Sequence, residues 1–296
     1  MNSENILTIK NLSFEYDSGF SLKNINADFS KGEKIAVLGS NGSGKSTFFL
    51  NINGVLSHHH GSIFYKDIEI TGKNLDILRR NVGIVFQEPD SQLIASTVEA
   101  EVSFGPVNMG LSEEEVKQRV NSSMIEMNIE SLRERPVHYL SGGQKKRVSI
   151  ADILAMRPEI IIFDEPTASL DPVNCKMFEK TLERLENQNI TTIVSTHDVN
   201  FAWKWAERVI VFHDGCIIAD DIPKNVFSDS GLLKKANLVR PVLMEVCELL
   251  AVRGIIAANK TVKSISELKE IFLVIFDRGF SHFPGHVNKV KPIKES

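Results

Sequence analysis

Gly39-Ser40-Asn41-Gly42-Ser43-Gly44-Lys45-Ser46 fits the phosphate-binding pattern G-x-x-x-x-G-K-[ST], and its flanks are those the pattern needs. The apolar run at residues 35–38 precedes it as a strand does, and residues 46–53 continue with helix-compatible side chains. Glycines at 39, 42 and 44 permit backbone angles closed to other residues and bring bare N–H groups against phosphate oxygens. Lys45 has the reach for β- and γ-phosphates, and the Ser46 hydroxyl suits Mg²⁺. A helix opening at Ser46-Thr47 points its positive dipole end at the same anion. The stretch predicts an α/β phosphate-loop fold binding ATP or GTP.

Such a site needs acids at the end of a neighbouring strand. Residues 160–163 are four apolar residues in a row, followed by Asp164-Glu165. Asp164 is expected to hold Mg²⁺ through water and Glu165 to orient and polarise the attacking water, two jobs for adjacent carboxylates. Leu140-Ser141-Gly142-Gly143-Gln144 is a second glycine-bearing turn before a helix, expected over residues 145–156. Its hydroxyl and open N–H groups suit a second phosphate contact.

Working outward, residues 6–16 and 22–29 alternate apolar and polar side chains between turn formers, as half-exposed antiparallel strands do. Short β-like runs follow at 62–65 and 82–86, with a helical 75–80 between them. Ser112-Glu113-Glu114-Glu115 has the look of a helix cap and opens a polar helix to about residue 127, within a mostly helical insert ending near 157. After Pro158 the α/β pattern returns, with strands at 160–163, 191–195 and 209–212 and helices at 174–186 and 199–206. These runs are apolar enough for a parallel sheet buried on both faces. Beyond about 228 the sequence reads as a small helical domain, with helices near 238–252 and 266–276, and 286–296 as a loose tail.

At 296 residues and 42% hydrophobic, the chain can bury one large core and a small second domain. A net charge of −4 argues against a broad grip on nucleic acid. The three cysteines, Cys175, Cys216 and Cys247, are widely spaced, as buried thiols in a reducing compartment would be. No apolar run approaches the roughly 20 residues of a membrane span, and the N-terminus lacks the apolar core of a signal peptide. His58-His59-His60 reads as a solvated loop, and Lys145-Lys146-Arg147 as the solvated face of a helix. Trp203 and Trp205 read as one packed and one partly exposed residue.

The order of motifs resembles that of ABC-type ATPases: phosphate loop, then LSGGQ, then the strand ending Asp164-Glu165, then Ser169-Leu170-Asp171, then His197. The likeness covers residues 5–227 and implies a RecA-like core with an N-terminal antiparallel β-subdomain and a helical subdomain over about 88–157. It also implies that two cassettes pair head to tail, so that Ser141, Gly142, Gly143 and Gln144 close over ATP held by the other subunit, same or related. Gln87 matches the glutamine that touches Mg²⁺ and water and senses the membrane subunit; His197 matches the switch histidine at the γ-phosphate; Asp171 matches the residue crossing the dimer interface. Tyr16 sits at the position that stacks on adenine, a contact worth about 1–3 kcal/mol, with Phe14 as its rival.

Residues 82–93, then Thr97-Val98-Glu99-Ala100-Glu101-Val102 and Phe104-Gly105-Pro106, are similar to energy-coupling-factor and cobalt-transport ATP-binding subunits. That likeness implies a docking surface at about 90–108 for a transmembrane coupling subunit, and through it a substrate-binding membrane subunit. It places the chain at the cytoplasmic face of the membrane and predicts cobalt or a vitamin as cargo. Residues 1–228 would form the nucleotide-binding domain and 229–296 a small dimerising or ligand-sensing domain. The rival reading is a soluble non-transport ABC ATPase.

Overall fold

The computed structural model describes residues 4–168, 171–257 and 260–277. Ser169, Leu170 and the tail expected at 286–296 lie outside them. The chain begins with β1 (Asn5–Glu15) and β2 (Ser21–Ser30), an antiparallel pair, then β3 (Lys34–Leu38) and α1 (Lys45–Ile52) on either side of the phosphate loop. It continues through β4 (His60–Tyr65), β5 (Ile68–Ile70), α2 (Leu75–Asn81) and β6 (Val82–Val85). The helical insert is α3 (Val98–Asn108), α4 (Glu113–Glu126) and α5 (Gly142–Met156). The core resumes with β7 (Ile160–Phe163), α6 (Pro172–Asn187), β8 (Thr191–Ser195), α7 (Val199–Trp205), β9 (Arg208–His213) and β10 (Cys216–Asp221). Among the described residues four helices follow: α8 (Pro223–Ser228), α9 (Ser230–Ala236), α10 (Val242–Val252) and α11 (Ile265–Asp277).

The strands form two sheets. One is antiparallel, in the order β2-β1-β4-β5; the other runs β10-β9-β3-β8-β7-β6, parallel from β9 to β6 with β10 as an antiparallel edge. Strands covered on both faces must be apolar throughout, and β7 shows how two cores share one strand. Ile160 and Ile162 face a core built with β1, β2 and the Phe48, Phe49 and Ile52 side chains of α1. Ile161 and Phe163 face a second core with α5 and with Phe178, Leu182 and Leu185 of α6. The phosphate loop and the acids at 164–165 thus emerge at the carboxyl ends of β3 and β7, on either side of β8, where open α/β sheets bind ligands.

The β9–β10 turn braces the phosphate loop. Gly215 donates its N–H to the Ser43 carbonyl (2.9 Å) and its carbonyl accepts from the Lys23 N–H (2.9 Å). Its φ is +75°, and a Cβ there would lie 1.9 Å from the Ser21 carbonyl oxygen, so only glycine fits.

Residues Met1–Pro241 make one compact unit and Val242–Ser296 another. The first unit therefore runs past the boundary expected after 228, because α9 packs onto β9 and α8. Phe227 is fully buried, with its ring edge-on to buried Trp203. Trp205 is partly exposed and stacks on Phe201. Within the second unit, α10 buries Met244 and Cys247. Cys247 is the one thiol of the three that is buried; Cys175 and Cys216 are only partly covered, contrary to the sequence expectation, and none of the three is in a disulfide.

Asp152 on α5 accepts a hydrogen bond from Gln92 Nε2 at 3.1 Å. Burial pushes its carboxyl up to about 7, with Glu101 adding to the effect and the Gln92 bond opposing it. A folded-state value above the unfolded one of about 3.9 means that the native chain binds this proton more tightly. The group's contribution is most favourable below pH 4 and is lost as pH rises through 7. Asp152→Asn keeps an acceptor without the charge, so it is expected to stabilise by about 1–3 kcal/mol at pH 8. Melting curves at pH 5 and 8 check this: the gain should be markedly smaller at pH 5.

Candidate functional site

The phosphate loop takes the shape its glycines permit. Gly39, Gly42 and Gly44 have φ of +145°, +78° and +112°. A Cβ on Gly39 would lie 2.4 Å from the Phe212 carbonyl oxygen and 2.7 Å from Ser43 Oγ, so the loop presses against β9 and leaves its amides open. Lys45, 6% exposed, donates from Nζ to the Gly39 carbonyl at 2.6 Å and to the Ser40 carbonyl at 3.3 Å. Burial lowers its pKa, while Glu165 and Asp164 pull the other way. Gly44 caps α1 without a side-chain hydrogen bond, and Ser43 Oγ is buried with no hydrogen-bond partner among the described residues. These donors surround a cavity of about 180 Å³ lined by Phe20, residues 41–47, Gln87, Asp164 and Glu165. Residues 41–47, Gln87 and both acids therefore share one pocket, while Gly39 and Ser40 do not line it.

At the end of β7, Asp164 is buried and Glu165 takes φ +45°, a left-handed turn uncommon for a side chain of this size. Ser195 at the end of β8 fixes both: its hydroxyl donates to Asp164 Oδ1 at 2.6 Å and accepts from the Glu165 N–H at 2.8 Å. Sequence reading took Ser195 only as a strand residue; the signal available was a hydroxyl at a strand end two residues before His197. Glu165 Oε1 lies 2.8 Å from His197 Nε2 and 3.9 Å from Lys45 Nζ. Burial raises the Glu165 pKa, opposed by His197 and Lys45 and reinforced by Asp164. Ser195→Ala would strand a buried carboxylate oxygen and an amide. The expected cost is about 1–3 kcal/mol of stability, read from denaturant melts, with slower ATP hydrolysis as Glu165 drifts.

The aromatic neighbourhood differs from expectation. Phe14 is buried at 7% exposure and stacks on His59, so it is closed off from ligand. Tyr16 is partly exposed, edge-on to Phe14 and 6.5 Å from the ring of Phe20. Phe20, which the sequence reading passed over, is the ring that lines the pocket. It follows the turn at 17–19, where strand alternation breaks down.

Ser141 and Gln144 form a reciprocal capping box at the start of α5, and Gly142 and Gly143 open that helix. They do not line their own chain's phosphate pocket, and neither does Asp171. Asp171 is exposed and caps α6, accepting from the Asn174 N–H at 2.8 Å and from Asn174 Nδ2 at 2.9 Å. The basic triplet is not the solvated face expected of it. Lys146 is 4% exposed, its Nζ donating to the Phe86 and Gln87 carbonyls, and Lys145 pairs with Asp90. The pattern misled because a lysine stem packs along apolar surface and its ammonium can end on carbonyls. The His58–His60 loop is tied down in part, with the Glu15 N–H donating to His59 Nδ1.

Among the described residues, no cluster of three or more His, Cys, Asp or Glu side chains stands ready to hold a metal. Ser46, Gln87 and Asp164 offer oxygens alone, a donor set that suits Mg²⁺ shared with substrate phosphates. The glycine-lined cradle and the buried, cationic Lys45 fit a polyphosphate. Among the described residues no helix is long and apolar enough to cross a membrane.

Residues 22–168 match the ABC transporter family. The energy-coupling factor transporter ATP-binding protein EcfA of Methanococcus maripaludis is 47% identical over 248 residues, covering 83% of this chain and 89% of that protein. The solved structure of CbiO1 from Clostridium perfringens, part of the ABC transporter complex CbiONQ, matches with a TM-score of 0.69 and 36% identity, over 91% of this chain and 99% of that one. A dimeric ATP-binding cassette in a post-hydrolysis state with ADP and Pi matches with a TM-score of 0.66 and 30% identity, over 74% and 99% of the two chains.

Proposed function

Since the chain belongs to the ABC transporter ATP-binding proteins, among those of energy-coupling-factor type, and is an ATPase, we propose that it powers an importer by closing on a second such subunit around two ATP molecules. The observation that carries this reading is the pocket in which Lys45, Gln87, Asp164 and Glu165 converge while Ser141–Gln144 lie outside it. A catalytic turn absent from its own chain's pocket is suited to serve a partner's.

In this reading the loop amides and Lys45 hold the β- and γ-phosphates, and Tyr16 and Phe20 flank the base. Ser46, Gln87 and Asp164 would hold Mg²⁺, which would supply positive charge against that developing on the phosphates. Glu165 takes up the proton of the attacking water, since its carboxyl points into the pocket and its raised pKa makes it a better base. His197 steadies that carboxylate and faces the γ-phosphate. Asp171 and the Ser141–Gln144 turn of the partner complete each site.

Residues 90–108 would receive the membrane subunit. Ile94, Phe104 and Val107 there are 72%, 51% and 57% exposed, apolar surface in the stretch that follows Gln87. Closing and reopening of the pair would then move helices of that subunit, with the chain at the cytoplasmic face and cobalt or a vitamin as cargo. The second unit would assist pairing. Affinity capture of the tagged chain from detergent-solubilised membranes tests the transport reading: a polytopic membrane protein should co-purify and be lost with Phe104→Asp. Capture of soluble partners alone would instead favour a non-transport ATPase. Uptake of labelled cobalt or vitamins by the captured complex then identifies the cargo.

A further inference from the structure

Segment 86–92 is stitched to α5 at successive positions of that helix. Lys146 donates from Nζ to the Phe86 carbonyl at 2.6 Å and to the Gln87 carbonyl at 3.2 Å. Lys145 Nζ meets Asp90 Oδ1 at 2.5 Å. Gln92 Nε2 donates to the Ser149 carbonyl at 2.9 Å and to Asp152 Oδ2 at 3.1 Å, while its Oε1 accepts from the Phe86 N–H at 3.3 Å. Residues 145, 149 and 152 form one stripe of the helix, and 146 adjoins it.

Lys146 differs from the other members of this set. It is 4% exposed, and a charge is costly at that depth unless its hydrogen bonds are met. Burial pushes its ammonium down to about 8, while Asp164 and Glu88 favour the charged form. Two consecutive carbonyls on one ammonium hold the peptides on both sides of Gln87, 86–87 and 87–88, and hence the direction in which the Gln87 side chain leaves the backbone. That side chain lines the phosphate pocket. At this same N-terminal end α5 opens with the Ser141–Gln144 turn, whose N-cap Ser141 lies five residues before Lys146, or about 7.5 Å along the axis.

We propose that Lys146 is the positioning residue that holds Gln87 in the pocket and makes it travel with α5, so that a displacement of the Ser141–Gln144 turn reaches the chain's own phosphate site. This rests on the assignment of Gln87 to the hydrolytic machinery. A packing role alone would not require an ammonium shared between two adjacent carbonyls, and this chain places one there with its remaining side chain sealed from solvent.

The test is a double-mutant cycle on steady-state ATP hydrolysis with Lys146→Met, Gln87→Ala and the combination, plus Lys146→Arg. Lys146→Met should lower kcat by about 10–100-fold with KM within about twofold, the scale of an ångström-level misplacement. Lys146→Arg, which keeps charge and donors, should recover part of that loss. In the Gln87→Ala background Lys146→Met should cost nothing further, since both act through one side chain. Losses that multiply in the double variant, or a rise in KM at unchanged kcat, would overturn the proposal while leaving Gln87 in its role. Full turnover by Gln87→Ala would instead remove the Gln87 assignment itself. If Lys146→Met does not fold, Lys146→Gln, which retains a donor without the charge, takes its place in the cycle.

Discussion

Replacing Glu165 by Gln is expected to leave MgATP bound and to slow hydrolysis by about 10²–10⁴-fold, the size of a general-base contribution. The substitution is nearly isosteric, and an amide can still meet His197 Nε2, now 2.8 Å from Oε1. What disappears is the capacity to take a proton from water. The backbone there has φ +45° and its N–H is held by Ser195, so the side chain's direction is set by the fold and should survive the change. Single-turnover hydrolysis with radiolabelled ATP measures the loss, and a variant turning over at the wild-type rate would refute the assignment. The same variant should accumulate as a nucleotide-bound pair, visible as a doubled mass in light scattering at saturating MgATP.

Lys45→Met is the second large effect. Its ammonium is expected to make charge-assisted bonds to two phosphates, each worth about 1.5–3 kcal/mol, so ATP affinity should fall by about 10²–10⁴-fold. Stability should move little, because relief from burying an ammonium whose pKa burial already lowers offsets the bonds lost to the Gly39 and Ser40 carbonyls. Thermal melts separate the two effects: MgATP should raise the melting temperature of the wild-type chain and fail to raise that of Lys45→Met. An unchanged ligand-induced shift would show that the backbone cradle alone carries binding.

The parallel sheet was legible in the sequence because strands buried on both faces must be continuous apolar runs, and residues 160–163 and 191–195 appear as β7 and β8 at the positions read from the sequence. β5 and β10 were not. The first has three residues, and the second, CIIADD, ends in two exposed acids and pairs only at an edge. The helix α9 passed as part of a separate domain since its short apolar face shows no destination until β9 is in place. In the site, the phosphate loop, Asp164 and Glu165 announce themselves by local pattern. Ser195, Phe20 and Lys146 do not, for each acts through a partner 31, about 25 or 60 residues away in sequence. Hydroxyls, rings and amines at such separations are ordinary until the chain closes on itself.

Gly215 lends the phosphate loop its own amide and ties it to β2 through its carbonyl, with no side chain involved. A cradle braced by main chain in this way has already lost its conformational freedom when the protein folds, so capture of nucleotide incurs little further ordering cost. Amide exchange at Gly215 should accordingly be slow in the nucleotide-free protein and change little when ATP arrives, as for a socket rather than a closing hand.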